Sequence, residues 1–172
     1  AGLPFLTTAG RGYYDRQEVW DVLNLLRVLH NPSDDLALAA ALRSPMFALS
    51  DDALFALRMN FRLDSNQPIL LMDALKLAAE NQGMVPPDEQ IAVDFAWACL
   101  ERLRRQAGRV TIADLLRAAL DATDYLVILS GLPDGARRRG NVEKLVAKAE
   151  TSGKIGLGAF TRYLSDLSES EA

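Results

Sequence analysis

Asp15-Arg16-Gln17-Glu18-Val19-Trp20-Asp21-Val22-Leu23-Asn24-Leu25-Leu26-Arg27-Val28-Leu29-His30-Asn31-Pro32 is the stretch on which the reading of the fold turns. Val19, Val22, Leu23, Leu26 and Leu29 recur at steps of three and four, the spacing that gathers side chains on one face of an α-helix. Asp15 is placed to cap that helix, and Glu18 stands three residues on, where its carboxylate reaches back to the cap's backbone N–H. The helix is expected to run to about His30, and Pro32 then stops it. Similar periodicity runs through nearly the whole chain, with no alternating strand pattern after the first dozen residues. The expectation is therefore an all-α, irregular multi-helix domain.

Working outward, Leu3 to Thr8 reads as a short strand stub, and Gly10 and Gly12 permit the turn that follows it. Downstream, Ser33 to Asp35 start a second helix with Leu36, Ala39, Ala40 and Leu42 inward, ended by Pro45. Ser50 before Asp51 and Asp52 opens a third, reaching about Asn60 with Leu54 and Leu57 buried, and Pro68 opens a fourth through Leu71, Leu75 and Ala78. Gly83 and Pro86-Pro87 mark a linker where the chain divides into two subclusters. The longest helix spans Asp88 to about Gln106, with Ile91, Phe95, Ala98, Cys99 and Leu103 on one face and Gly108 as its left-handed C-terminal cap. Thr111 and Asp114 have capping-box spacing. A short segment from Tyr125 to Leu129, a helix from about Ala136 to Thr151 and a last one from about Leu157 to Leu167 complete the chain.

At 172 residues, 49% hydrophobic and 24% charged, the chain is long enough to bury a core of its own. One cysteine, Cys99, excludes an internal disulfide and favours a reducing, cytoplasmic setting. Apolar runs such as Leu126 to Leu129 are far shorter than the ~20 residues of a membrane-spanning helix. The opening Ala1-Gly2-Leu3-Pro4-Phe5 has no initiator Met and reads as a start inside a longer polypeptide. A net charge of -4 argues against a free-standing DNA binder, which would carry a basic excess.

No catalytic centre is expected within the chain. A phosphate-binding loop needs glycines ending in Gly-Lys-Ser/Thr after a strand. The nearest stretch, Gly153-Lys154-Ile155-Gly156-Leu157-Gly158, lacks the strand and the hydroxyl and has its lysine at the wrong end. Asp34-Asp35 and Asp51-Asp52 sit where helix starts favour negative charge, so capping explains them better than metal binding. His30 is the sole histidine, and Cys99 lies on an apolar stripe. No metal site is expected.

The basic residues point toward nucleic acid. Arg137, Arg138 and Arg139 are consecutive near a helix start, with Lys144 and Lys148 beyond, and could meet phosphates or pair with Glu143 and Glu150 instead. Arg102, Arg104, Arg105 and Arg109 form a second group. Tyr13 and Tyr14 stand beside Arg11 and Arg16, joining aromatic faces to cations as single-strand binding does, although core packing of one tyrosine is an equal reading.

Several of these elements follow one order. Gly2-Leu3-Pro4-Phe5, Gly10-Arg11-Gly12-Tyr13-Tyr14-Asp15-Arg16-Gln17-Glu18-Val19, Leu25-Leu26-Arg27 and Asn31-Pro32-Ser33-Asp34-Asp35 closely resemble the stretch after motif IV of UvrD/Rep-type superfamily 1 DNA helicases. Leu42-Arg43-Ser44-Pro45-Met46-Phe47-Ala48-Leu49-Ser50-Asp51 is similar to the AddA/RecB-like helicase-nuclease branch. Arg138, Asn141 and Leu145, then Phe160 and Tyr163-Leu164, match two later elements. UvrD itself has a glycine-bearing turn where this chain has Met46-Phe47-Ala48-Leu49, so the AddA/RecB-like branch fits better.

The resemblance implies that residues 1–33 are the edge of the second RecA-like motor domain with the motif IVa region, and that 34–172 are a helical 2B-like insertion. It implies structural roles in motif IVa for Gly10, Gly12 and Glu18, and DNA proximity for Tyr13, Tyr14 and Arg16. The parent would use ATP and Mg²⁺ in parts beyond this chain, with no cofactor here. Implied partners are DNA, the motor domains and a partner helicase-nuclease subunit. The expected function is a regulatory, DNA-guiding segment, inactive alone, and the alternative is a helical protein-docking module.

Overall fold

A computed structural model describes residues 12–61, 67–154 and 156–171, with side chains as far as Leu167. Among them are nine helices: α1 Gln17–His30, α2 Asp35–Arg43, α3 Asp51–Asn60, α4 Leu71–Glu80, α5 Gln90–Gln106, α6 Ile112–Ala122, α7 Tyr125–Ser130, α8 Gly135–Thr151 and α9 Leu157–Glu171. The all-α expectation holds. The strand stub at 3–8 and Gly10 lie outside the described residues.

α1 is the axle of the fold, with α2, α5, α8 and α9 all set against it. Its stripe of Val19, Val22, Leu23, Leu26 and Leu29 is buried, and Leu25 and Val28 are buried as well. Interior burial of a leucine contributes about 1.5–3 kcal/mol, so these residues dominate the local energetics. From α1 the contacts pass from α2 to α4, α4 to α3 and α5, α5 to α6, and α6 to α7 and α8. A single core cluster extends from Tyr13 to Leu164, and it includes Val85 in the 83–87 linker.

Several local expectations hold. Ser50 Oγ accepts from the Ala53 N–H at 3.1 Å, and Thr111 Oγ1 both accepts from the Asp114 N–H at 3.1 Å and donates to that carboxylate. Gly108 takes φ +78°, the left-handed conformation that ends α5 without a side-chain clash. Gly135 is required by space: a Cβ there would stand 2.5 Å from the Ser130 carbonyl oxygen and 2.6 Å from that of Leu129.

Four expectations are corrected. Arg16, and not Asp15, is the N-cap of α1, without a side-chain cap bond, because Glu18 is drawn into the interior and is unavailable for a capping box. α4 begins at Leu71, three residues after Pro68. In α2 the buried residues are Ala37, Leu38, Ala41 and Leu42, while Leu36 is 85% exposed. The Asp35 carboxylate sets that rotation by accepting from the Leu71 N–H at 2.9 Å and Arg58 at 2.8 Å. In α5 the buried face is Val93, Ala96, Cys99, Leu100 and Leu103, leaving Ile91 82% exposed and Phe95 partly so. α5 carries apolar residues on two stripes, and spacing alone does not say which one α4 and α6 cover.

Candidate nucleic-acid interface

The segment from Gly12 to Glu18 and the helix α8 are far apart in sequence and joined in space. Gly12, at φ +81°, turns the chain into Tyr13 and Tyr14, whose rings meet edge to face at 4.9 Å. Both tyrosines are buried, at 6% and 2% exposure. The Tyr13 hydroxyl donates to the Asn141 carbonyl oxygen at 2.7 Å, and the Lys148 ammonium donates to the Tyr14 hydroxyl at 2.7 Å. That ammonium also lies 5.1 Å from the centre of the Tyr14 ring, a cation–π distance.

Glu18 is the keystone. It is 2% exposed, with one carboxylate oxygen accepting from Asn141 Nδ2 at 2.7 Å and the other paired to Arg138 at 3.1 Å. A buried carboxylate without such partners would be strongly unfavourable. Arg138 is held in turn by donating to the Pro133 carbonyl oxygen at 3.1 Å. One turn along α1, Asp21 accepts from the Tyr125 hydroxyl at 2.6 Å and from Gln17 Nε2 at 2.7 Å. Burial lifts the Asp21 carboxyl above its ordinary range, and the Tyr125 and Gln17 donors oppose the rise. The same burial, followed by the neighbouring Asp21 charge, pushes the Tyr125 hydroxyl far up, so it remains a donor.

The structure brings Tyr13, Tyr14 and Glu18 against α8 and divides the sequence candidates by role. Tyr13 and Tyr14 present their rings to the interior, not to solvent. Arg138 is committed to Glu18. Arg137 and Arg139, on different faces of α8, are exposed in pairs with Asp134 at 3.1 Å and Glu143 at 2.8 Å. Such exposed pairs contribute only ~0–1 kcal/mol and exchange readily for another anion. Lys144 and Arg16 are exposed and have no ion pair among the described residues. Arg137 and Lys144 are seven residues apart, two helical turns, and so share a face.

Elsewhere the basic groups are diluted. Arg105 pairs with Glu101 at 2.8 Å, and Arg104 shares its groove with Glu80 and Glu101. A groove of about 920 Å³ between α6 and the end of α8 holds Arg109 and Lys154, but its Arg117 is taken by Asp114 and Glu150. The glycine stretch 153–158 serves packing at its far end, where Gly158 lies directly under the His30 ring. Among the described residues no group of three or more His, Cys, Asp or Glu could hold a metal ion, and no helix is long and apolar enough to cross a membrane.

Sequence reasoning missed the Asp21–Tyr125 pair and the part of Lys148 in binding Tyr14. Asp21 was detectable in principle: an acid between Val19 and Val22 on a buried helix demands a donor from elsewhere. Nothing local to Tyr125 identifies it as that donor.

The clasp around Glu18 joins the two stretches that carry the UvrD/Rep-type resemblance, and similarity to known proteins runs the whole way between them. No protein-family model matches the chain. Curated relatives do, and they relate it to a segment of the UvrD/Rep-type superfamily 1 helicases. The particular relatives are the AddA subunits of bacterial ATP-dependent helicase/nucleases. The AddA of Pediococcus pentosaceus is 31% identical over 171 residues, covering 96% of this chain and 14% of the relative. That of Lysinibacillus sphaericus is 31% identical over 169 residues, 95% of the chain and 13% of the relative. That of Enterococcus faecalis is 31% identical over 177 residues, 98% of the chain and 13% of the relative. The chain therefore spans about one seventh of the length of the relatives it matches.

Proposed function

We propose that this chain is an accessory, regulatory segment of a cytoplasmic ATP-dependent DNA helicase or helicase-nuclease, guiding DNA or controlling the motor and inactive alone. On this reading residues 1–33 belong to the edge of the second motor domain and 34–172 to a helical 2B-like insertion. ATP and Mg²⁺ act in motor parts outside the chain. The observation that carries the reading is the clasp: Glu18 in the motif IVa region holds Arg138 and Asn141 of the later motif, so the two stretches most like the helicases form one unit.

DNA contact falls to Arg16, Arg137, Arg139 and Lys144, the exposed cations around that clasp. Arg138, Tyr13 and Tyr14 position them from within. Each phosphate neutralised by a cation releases counterions, so binding weakens as salt rises. The test is fluorescence anisotropy of the chain with forked, single-stranded and duplex DNA at low and moderate salt, beside an Arg16/Arg137/Arg139/Lys144 quadruple-alanine variant that leaves Arg138 in place. Salt-sensitive binding lost in a folded variant supports the DNA-guiding reading. Binding that survives the four substitutions defeats this assignment of the face.

A second reading, a helical module that docks a partner protein, is favoured by one observation. Large apolar side chains, Leu36 and Ile91 foremost, are exposed on α2 to α5.

A further inference from the structure

Charge and apolar exposure are segregated along this chain. Residues 31–100 contain ten acidic and four basic side chains, whereas 101–172 contain ten acidic and twelve basic. Of eleven exposed large hydrophobic residues among those described, eight fall between Leu36 and Phe95. The acidic half is thus also the half that leaves apolar surface uncovered. That combination repels a polyanion and favours a partner both apolar and cationic.

The two properties meet at the start of α5. Ile91 is 82% exposed, and Phe95, one turn on, is 41% exposed with its ring 6.0 Å from that of the buried Phe47. The Ser50 N–H donates to Glu89 Oε2 at 3.3 Å, which ties the start of α3 to the start of α5. Phe55, 65% exposed, stands one turn into α3. Carboxylates surround this face: Asp88 and Asp94 lie three residues to either side of Ile91, and Asp51 and Asp52 head α3. Arg43 is paired with Asp51 at 3.1 Å, and both side chains are exposed.

We propose that the face formed by Ile91 and Phe95, with its rim of Asp51, Asp52, Asp88 and Asp94, is a docking surface for a basic amphipathic helix of a partner polypeptide. The occupant lays an apolar stripe across Ile91 and Phe95 and sets lysines or arginines against the rim. Phe95 acts as the aromatic anchor, because Phe47 beneath it keeps the ring in place. This face is separate from the cations around Glu18, so its test stands or falls apart from the DNA reading.

The test uses the chain and two labelled helix-forming peptides of about 18 residues, long enough to be helical when bound. One is built of leucine and lysine, the other of leucine and glutamate on the same pattern. The expected result is that the leucine–lysine peptide binds and the leucine–glutamate peptide does not. Ile91→Glu should weaken binding about tenfold, although it adds a negative charge, and Asp52→Lys with Asp88→Lys should weaken it comparably. Ile91 is so exposed that its substitution leaves folding intact, and circular dichroism verifies this. Equal binding of both peptides would mean mere apolar adhesion and would overturn the proposal. So would failure of the leucine–lysine peptide to bind, or binding of it that Ile91→Glu strengthens, which would be unspecific charge attraction. Concentration-dependent self-association abolished by Ile91→Glu, with no peptide bound, would assign the face to a second copy and overturn it equally.

Discussion

Asp21 and Tyr125 form the contact in which protonation and folding are coupled. The carboxyl's folded-state pKa lies above its ordinary value of 3.8, so this group favours folding in acid and loses that contribution as pH rises from 3.8 through the raised value. Tyr125→Phe removes a hydroxyl that stabilises the charged form, raising the pKa further. The expected deficit is about 1–3 kcal/mol near neutral pH and shrinks toward about pH 4, where a protonated Asp21 no longer needs that donor. Urea unfolding at the two pH values measures it, and a pH-independent deficit would contradict the assignment. Glycines offer a contrast at the same scale. Gly135→Ala meets rigid backbone oxygens and should cost several times what Gly158→Ala costs, since the exposed His30 ring can move aside.

Among the elements, α1 and α8 carry the most. Leu26 is 1% exposed in the middle of α1, and Leu26→Ala should cost about 2–5 kcal/mol in a thermal or urea melt. Arg138→Ala strands Glu18 in the interior. Its cost should be about 2 kcal/mol or more, below the ~3–5 of a fully buried pair because Asn141 remains and the Arg138 side chain is 28% exposed. Adding Glu18→Gln should recover part of that loss, and the double-mutant cycle reads the coupling. Helix existence was legible in the sequence, since periodicity, Ser50, Thr111 and Gly108 all act locally. Rotation was not, at α2 and α5. Leu36 faces out because Asp35 is bound by residues of α3 and α4, and Ile91 faces out because Val93 and Leu100 offered an equally regular stripe. The candidate site was half legible: its cations and tyrosines are named by composition, but which of them turns inward depends on Glu18, a residue that reads as a cap.

The described residues share one core cluster, and Val85 belongs to it. A single cooperative urea transition, the same by fluorescence and circular dichroism, is therefore expected. Two separate transitions would instead support independent subclusters meeting near 83–87. The expectation of a division there rests on Gly83 and two prolines breaking the helix, and the urea transition is its test.

The tyrosine pair gives the molecule a mechanical property. Tyr13 and Tyr14 are fastened to Asn141 and Lys148 on α8, two residues or fewer from the first described position. Tension on the polypeptide ahead of Gly12 is therefore delivered to the side of α8 before it reaches α1. The bonds to Asn141 and Lys148 share that load, so a pull from the preceding chain tends to displace α8 as a rod and not to unwind α1 from its end.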